Sequence, residues 1–274
     1  MSSISFRGIF DFCMDHTFRR SQQIRLGLHI ANRALGQGID APALNGEYWL
    51  MEHIKEMLRG KTAVVFDVGA NIGEWTRRFV QGMLPGLTVY SFEPSKATFE
   101  FLKTALSREM TEVLLKPVNL ALSDSNSSGQ LYLGGELAGI NSLHLRRAIP
   151  QKGTEVVSLQ RGDVFCLENG IQQIEFLKID TEGHELSVLR GFDSMLSRGA
   201  IDFIQFEYGG TWIDSRILLM DVFNLLLGKG YVLSKIHPKG LDLFFDYDPT
   251  LENFVYANYL AIRKDLLASL KWIQ

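Results

Sequence analysis

The amino-acid sequence predicts a doubly wound α/β fold, in which a mostly parallel sheet carries helices on both faces. From residue 62 onward, short apolar runs rich in Val, Ile and Phe alternate with segments whose apolar residues recur at helical spacing. Polar side chains follow several of these runs, where the carboxyl ends of parallel strands would meet. With 274 residues, 46% of them hydrophobic, the chain can form one large domain with a substantial core.

The first strand–turn–helix unit carries the strongest pattern. Residues 62–68 are apolar and β-branched, as in a buried strand, and residues 72–81 place Ile72, Trp75 and Phe79 at helical spacing. Gly69 and Gly73 lie at the turn, where they permit a tight bend and close approach of a ligand to the backbone. The N–H groups that open the helix would point at that ligand.

Further strands and helices are expected along the rest of the chain. They are strands at 87–92, 112–120, 174–180, 201–207 and 231–236, short strands at 130–133 and 155–159, and helices at 96–107 and 216–227. Residues 242–247 are expected to pair with residues 253–263 and so close the sheet.

Residues 1–60 are predicted to form a helical N-terminal cap, ahead of the ligand-binding domain at 61–274. Apolar residues recur at helical spacing over residues 5–35, and Asn45 can cap a second helix at 47–58. Four arginines give the first segment a basic face: Arg19, Arg20, Arg25 and Arg33. This face either contacts an anionic surface or acceptor, or is the solvated outer side of a cap packed on the core.

Composition narrows the class of function. The formal net charge of −3 offers no general attraction to nucleic acid. Cys13 and Cys166 lie too far apart for metal-ligand spacing, and we expect both to be small buried thiols in a reducing cytoplasm. No apolar run reaches the ~18 residues needed to span a bilayer, and charged residues interrupt the N-terminus where a signal peptide would be apolar. Pairing of the N-terminal helices between subunits is left open.

Two carboxylates indicate what the glycine turn binds. Asp67 lies just before the turn, where a carboxylate repels a pyrophosphate but can hold an ammonium group such as that of S-adenosylmethionine. Glu93 ends the next strand, about twenty residues past the glycines, the offset at which an acid accepts hydrogen bonds from ribose hydroxyls. Alternatively, Asp67 caps the helix and Glu93 is a solvated strand end.

Four segments together resemble the FkbM-type methyltransferases: DVGANIG at 67–73, FEP at 92–94, NLALSD at 119–124 and KIDTEGHE at 178–185. The resemblance covers about residues 62–264 and implies a Rossmann-like class I methyltransferase sheet with a C-terminal antiparallel hairpin. It also implies methyl transfer from S-adenosylmethionine to a hydroxyl of a small natural product or sugar-containing substrate. The positions that would bind the cofactor are Asp67, Gly69, Ala70, Asn71, Gly73, Glu93, Asn119, Ala121 and Asp180.

The resemblance places the irregular excursion at 120–161 near the active site. There Asn141 and Ser142 could face the acceptor, although a surface hairpin that covers a sheet edge is the alternative. Tyr208 and Trp212 follow the strand at 201–207 and could stack on an acceptor ring, or they could simply fill the end of the sheet.

The segment after residue 179 concentrates the candidates for catalysis. Methyl transfer to a hydroxyl needs a base that removes the acceptor proton. His184 is suited to this near neutral pH, and Asp180 and Glu207 are the other predicted catalytic residues. Glu182 and Glu185 could be no more than first-turn acids favoured by the helix dipole. Asp180, Glu182 and Glu207 could also hold a magnesium ion, but no pattern requires it and no metal is expected.

Two other classes of function fit the same architecture. A nucleotide-dependent oxidoreductase would need a pyrophosphate beside Asp67 and a G-x-G-x-x-G spacing that this turn lacks. A non-catalytic cofactor-binding or interaction module would keep the fold for a partner. We expect an S-adenosylmethionine-dependent O-methyltransferase of the cytoplasm that acts on a small hydroxylated acceptor.

Overall fold

A computed structural model describes residues 19–135, 137 and 139–273. The predictions for Cys13 and for the start of the 5–35 helical region lie outside the described residues. The strands are β1 (Ala63–Val68), β2 (Leu87–Phe92), β3 (Leu114–Val118), β4 (Ala121–Ser123), β5 (Ser127–Leu133), β6 (Gly153–Arg161), β7 (Ile174–Ile179), β8 (Ile201–Tyr208), β9 (Tyr231–His237), β10 (Gly240–Phe244) and β11 (Ala257–Arg263).

The α-helices are α1 (Arg20–Ala34), α2 (Pro42–Asn45), α3 (Glu47–Leu58), α4 (Glu74–Val80), α5 (Lys96–Ser107), α6 (Gly162–Glu168), α7 (Glu185–Gly191), α8 (Asp193–Ser197), α9 (Thr211–Ser215) and α10 (Leu219–Gly228). Short 3₁₀ helices are Pro249–Leu251, Lys264–Ser269 and Lys271–Ile273.

The main sheet has eight strands in the order β10-β9-β11-β8-β7-β1-β2-β3. β3, β2, β1, β7 and β8 run parallel to one another, which confirms the predicted doubly wound arrangement. The chain winds outward from β1 to β2 and β3, and later returns to β7 on the other side of β1. The strand order therefore reverses between β1 and β7, and this switch point is where open α/β sheets bind ligands.

The antiparallel end of the sheet confirms the expected class, but one predicted pairing is wrong. β10 pairs with β9, whereas β11 lies between β8 and β9. β9 and β10 are joined by only Pro238 and Lys239, which favours a local hairpin, and the longer connection from β10 to β11 contains a 3₁₀ helix. β11 is buried over nearly its whole length, as suits an interior strand, while β10 is the partly exposed edge.

Two apolar layers cover the sheet. On one face, residues of α7, α8 and α10 pack on Phe66, Ile179 and Phe206. On the other face, α3 and α4 pack on Val65 and Phe176. Cys166 lies in the first of these layers, and its predicted burial is confirmed. These layers hold β1 and β7 rigidly beneath the switch point.

The described part of the predicted cap contains two different kinds of helix. α3 buries four apolar side chains against the sheet: Leu50, Met51, Ile54 and Leu58. Within the described residues, α1 buries none of its own side chains. None of the helices in the described part of the chain has the length and apolar character needed to span a bilayer.

A three-stranded sheet, β4-β6-β5, projects from the main domain. The excursion between β5 and β6 folds back so that Ser142 pairs with Tyr132 of β5. This return brings the excursion over the carboxyl ends of β1 and β7.

Candidate active site

Two adjoining cavities lie at the switch point. The narrow cavity, of about 560 Å³, reaches from the glycine turn towards β2 and β4. The wide cavity, of about 1430 Å³, opens between the same turn, α3 and the end of β8. Both are lined by Gly69, Asn71, Asp180 and Glu182, so a ligand in one can reach a ligand in the other.

The glycine turn forms the wall between the cavities. Gly69 has φ +85°, and a Cβ atom at this position would lie 1.8 Å from the carbonyl oxygen of Asp180. A side chain cannot be accommodated there without moving the end of β7. Gly73 has φ +84°, and a Cβ atom there would lie 2.7 Å from Leu102 of α5. Gly73 therefore allows close packing of α4 and α5, while Ala70 and Asn71 line the wide cavity.

Glu93 is held in a fixed orientation in the narrow cavity. Its carboxylate accepts hydrogen bonds from the backbone N–H of Asn71 at 3.1 Å and of Ser95 at 2.9 Å. The side chain is only 6% exposed, and burial raises the pKa of Glu93 to about 7. A buried, oriented acid at the end of β2 can accept hydrogen bonds from a pair of vicinal hydroxyls.

Asn119 supports this acid from behind. Its side-chain amide donates to the carbonyl oxygens of Glu93 and Pro94, both at 2.9 Å, and its side chain is otherwise exposed. Ala121, of the NLALSD segment, lines the narrow cavity. The apolar walls that sequence reasoning missed come from Leu120, Leu122, Leu131 and Leu143.

Asp67 is fully buried at the base of the wide cavity. Its Oδ2 accepts a hydrogen bond from the hydroxyl of Thr76 at 2.6 Å, whereas Oδ1 has no hydrogen-bond partner among the described residues. Lys178 Nζ lies 3.8 Å from Oδ1 and 2.9 Å from Asp180 Oδ2. Burial raises the pKa of Asp67, and Lys178 opposes that shift. One carboxylate oxygen is thus left to accept a hydrogen bond from a ligand.

Glu185 folds the turn that follows β7. Its Oε1 accepts hydrogen bonds from the Thr181 backbone N–H at 2.8 Å, the Thr181 hydroxyl at 3.0 Å and the Gly183 backbone N–H at 3.2 Å. Burial raises the pKa of this carboxyl to about 7. The sequence left open whether Glu185 is no more than a first-turn acid. It lies in the first turn of α7, and its spacing of four residues from Thr181 is the signal that could have indicated the additional contact.

His184 lies on the narrow cavity, between two polar partners. Its Nε2 is 3.0 Å from Ser123 Oγ, and its Nδ1 is 3.1 Å from His144 Nε2. Burial, reinforced by His144, lowers the pKa of His184 to about 4. The imidazole is therefore neutral at pH 7, with both ring nitrogens engaged inside the protein. His184 is not among the described residues that line the wide cavity.

The excursion is fastened to the turn after β7. Ser142 Oγ donates to the carbonyl oxygen of Glu182 at 2.7 Å, and Arg146 Nη1 lies 2.5 Å from Glu182 Oε2. Asn141 Oδ1 accepts from the backbone N–H of Gly134 at 3.0 Å, which shapes the excursion itself. Asn141 and Ser142 both line the narrow cavity, and Arg146 lines the wide one.

Tyr208 and Trp212 lie in the core. Both are 0% exposed, and their rings are in edge-to-face contact with centroids 5.1 Å apart. The Tyr208 hydroxyl donates to Glu252 at 3.0 Å and accepts from the Phe254 backbone N–H at 2.7 Å. Neither aromatic is among the described residues lining the two cavities. Their neighbours Gly209, Gly210 and Thr211 line the wide cavity instead.

Glu207 and Tyr256 complete the far wall of the wide cavity. Burial and the charge of Asp180 raise the pKa of Glu207 well above its ordinary value. Tyr256 was missed at the sequence level, since it precedes β11 and reaches the site only through the pairing of β11 with β8. In the described part of the chain, no three His, Cys, Asp or Glu side chains are grouped so that they could hold a metal ion.

The sheet is Rossmann-like, and its paired cavity lies at the switch point, as in enzymes that bind a nucleotide or nucleoside cofactor. The Methyltransferase FkbM domain family matches residues 67–233, more than half of the chain. The protein belongs to the FkbM methyltransferase family, which confirms the resemblance found in its motifs.

The chain is similar to three curated methyltransferases. The chain is 28% identical over 144 residues to the hexuronic acid methyltransferase AglP of Haloferax volcanii, an alignment that covers 53% of this chain and only 55% of that relative. It is 24% identical to the 2-O-methyltransferase NoeI of Sinorhizobium fredii, over 77% of this chain and 88% of NoeI. It is 25% identical to the 31-O-demethyl-FK506 methyltransferase FkbM of Streptomyces tacrolimicus, over 68% of this chain and 75% of that relative.

Proposed function

We propose that this protein transfers the methyl group of S-adenosylmethionine to a hydroxyl of a small sugar-containing or natural-product acceptor. The observation that carries the proposal is the junction of the two cavities at Gly69, Asp180 and Glu182. One cavity suits a nucleoside and the other is large enough for a separate acceptor. The names of NoeI and FkbM, both O-methyltransferases, support the choice of a hydroxyl.

The residues present fit the cofactor. The leucine-lined narrow cavity suits an adenine ring, and the buried carboxylate of Glu93 suits the ribose hydroxyls. The free Oδ1 of Asp67 suits the ammonium of the methionine portion, since that ammonium supplies the hydrogen-bond donor that Oδ1 lacks. The backbone of residues 69–71 would lie along the same portion, where a side chain at Gly69 could not be accommodated.

The remaining chemistry is proton removal and alignment. S-adenosylmethionine would supply an activated methyl group: the acceptor oxygen bonds to the methyl carbon while the bond between that carbon and sulfur breaks. We assign Asp180 as the group that takes the acceptor proton, because it lines both cavities, and Glu207 as a second carboxyl on the acceptor side. His184 would be a positioning residue: its hydrogen bonds to Ser123 and His144 hold the 180–185 turn in place.

The other expectations remain proposals with specific support. The charged side chains that line the wide cavity are mainly acids, which disfavours a phosphate backbone as acceptor. The buried, unpaired thiol of Cys166 is compatible with a reducing cytoplasm. Magnesium has no role in the proposed reaction, and pairing of copies through α1 stays a prediction.

Thermal unfolding with three ligands in parallel tests the cofactor assignment. A ligand at about 100 times its dissociation constant adds about 2.7 kcal/mol, which for a domain of this size raises the melting temperature by roughly 5–8 °C. We expect this shift with S-adenosylmethionine and S-adenosylhomocysteine and none with NADH. A shift with NADH alone would support the oxidoreductase alternative instead. Formation of S-adenosylhomocysteine with a panel of hydroxylated acceptors then tests the reaction.

A further inference from the structure

The wide cavity carries an excess of negative charge. Among the described residues, seven carboxylic acids and two basic side chains line it. Both basic groups are already paired, Lys178 with Asp180 at 2.9 Å and Arg146 with Glu182 at 2.5 Å. Neither can therefore serve as the main partner for a carboxylate or phosphate on an incoming molecule without breaking an existing ion pair.

Glu47 and Glu207 lie outside these two ion pairs, although the Glu207 side chain shares a hydrogen bond with Asp180. Neither has a salt-bridge partner among the described residues, and both line the wide cavity. Glu47 is only 7% exposed. Nδ2 of Asn258 lies 3.5 Å from its carboxylate, the outer limit of a hydrogen bond, and the side chain of Gln205 is a second donor. A carboxylate this deeply buried is strongly destabilised unless a donor or cation meets it.

The two acids flank one residue. Asn258 lies directly opposite Glu207 in the pairing of β11 with β8, and its amide points to Glu47 and to the hydroxyl of Tyr256 at 3.2 Å. Burial raises the pKa of Glu47, a shift that the charge of Lys178 opposes, and burial together with the charge of Asp180 raises the pKa of Glu207. We call Glu47 and Glu207 the acidic pair.

We propose that the acidic pair binds a protonated amine of the methyl acceptor, so that the substrate class is an amino sugar or a related amino alcohol. This rests on the proposed function. The two positive groups of S-adenosylmethionine would be met by Asp67 and Asp180 at the glycine turn, which leaves the acidic pair for the acceptor. An ammonium group supplies several charge-assisted donors and removes the electrostatic cost of two buried carboxylates. A uronic acid, the substrate named for AglP, would instead add a further negative charge.

The first test compares acceptors that share a hexose ring and differ in the charge of one substituent. The gluco, galacto and manno hexoses are each supplied as the 2-amino sugar, the N-acetylated sugar and the uronic acid, and S-adenosylhomocysteine formation is followed. We expect turnover with amino sugars at a kcat/KM about tenfold or more above the N-acetylated counterpart, and none with uronic acids. Turnover that is equal for the three classes or highest for uronic acids overturns the proposal.

Binding of S-adenosylmethionine is measured separately by calorimetry on the same preparation. If the cofactor does not bind, the proposed function itself fails. If the cofactor binds but no amino sugar is methylated, the acceptor class is wrong while the cofactor assignment stands.

The second test uses variants of the acidic pair. Glu47→Gln should raise the KM for an amino sugar about tenfold or more and leave the dissociation constant of S-adenosylmethionine unchanged, and Glu47→Asp should retain much of the preference. Glu56→Gln is the matched control, since Glu56 lies on α3 but is exposed. Because burial destabilises the Glu47 carboxylate more than Lys178 stabilises it, Glu47→Gln should not lower the melting temperature. A lower melting temperature with unchanged KM would make Glu47 a structural residue and overturn the proposal.

Discussion

The assignment of Glu93 to the ribose makes a quantitative prediction about pH. Its carboxylate accepts hydrogen bonds only from Asn71 and Ser95 among the described backbone groups, and burial raises its pKa to about 7. Ribose hydroxyls are hydrogen-bond donors, so they bind the ionised form. A carboxyl with a raised pKa becomes protonated as the pH falls through 7, and cofactor affinity must fall with it.

The size of the effect follows from the ionised fraction. With a pKa of about 7, roughly 90% of Glu93 is ionised at pH 8 and roughly 10% at pH 6. The apparent dissociation constant scales inversely with the competent fraction, so it should rise about tenfold between pH 8 and pH 6. Glu93→Gln should weaken binding about 10- to 100-fold at pH 8, because a charge-assisted hydrogen bond is replaced by a neutral one.

Isothermal titration of S-adenosylhomocysteine at several pH values measures both effects. Glu93→Gln should lose the part of the pH dependence that comes from Glu93. A smaller slope is expected to remain from Glu182, which also has a pKa of about 7 and lines the same cavity, and from Asp67, whose pKa burial also raises. Glu100→Gln, an exposed acid on α5, serves as the control and should behave like wild type. If Glu93→Gln keeps wild-type affinity and the wild-type slope, the assignment of the ribose to Glu93 is wrong.

Two further predictions concern residues whose roles the structure changes or adds. Arg146→Ala should lower the free energy of unfolding by about 2 kcal/mol, between the values for exposed and buried ion pairs, because it leaves the half-buried Glu182 without its partner. Urea denaturation measures this loss, with Arg147→Ala, at an exposed position, as the control. Equal stability of the two variants would contradict the role of Arg146 in fastening the excursion. Tyr208→Phe should lower the free energy of unfolding by about 1–2 kcal/mol, because the hydrogen bond to Glu252 is lost, and should leave the KM for the acceptor unchanged. A raised KM at unchanged stability would show instead that Tyr208 binds the acceptor.

The first half of the site could be predicted because its contacts are local or follow from strand direction. Gly69 and Asp67 belong to one strand–turn segment, and Glu93 ends the neighbouring parallel strand, in register with that segment. Parallel strands bring such ends together whatever the rest of the chain does. Asp180 follows β7, which pairs in parallel with β1, so its position at the same edge of the sheet could be predicted in the same way.

Side-chain direction explains what sequence reasoning left open at β8. Successive residues of a strand face opposite sides of the sheet. Glu207 therefore faces the wide cavity, while Tyr208 faces the apolar layer, where it packs with Trp212. The alternation could have been applied to β8, but which side carries the cavity depends on the course of α3 and of the excursion.

The remaining contacts join distant parts of the chain. Arg146 meets Glu182 only because the excursion folds back over β5, and Glu47 meets Asn258 only because α3 packs beside β11. The pairing of β10 with β9 was likewise missed, since the choice between β9 and β11 depends on which strand fills the sheet interior. Hydrophobic periodicity and motif spacing do not show which distant segments of the chain contact one another.

A crystal structure of the protein with S-adenosylhomocysteine tests the central claim most directly. We expect both ribose hydroxyls within hydrogen-bond distance of the Glu93 carboxylate, the amino group at Asp67 Oδ1, and the sulfur facing the wide cavity beside Asp180. A ligand bound elsewhere, or one whose sulfur points away from the wide cavity, would contradict both the cofactor site and the direction of methyl transfer.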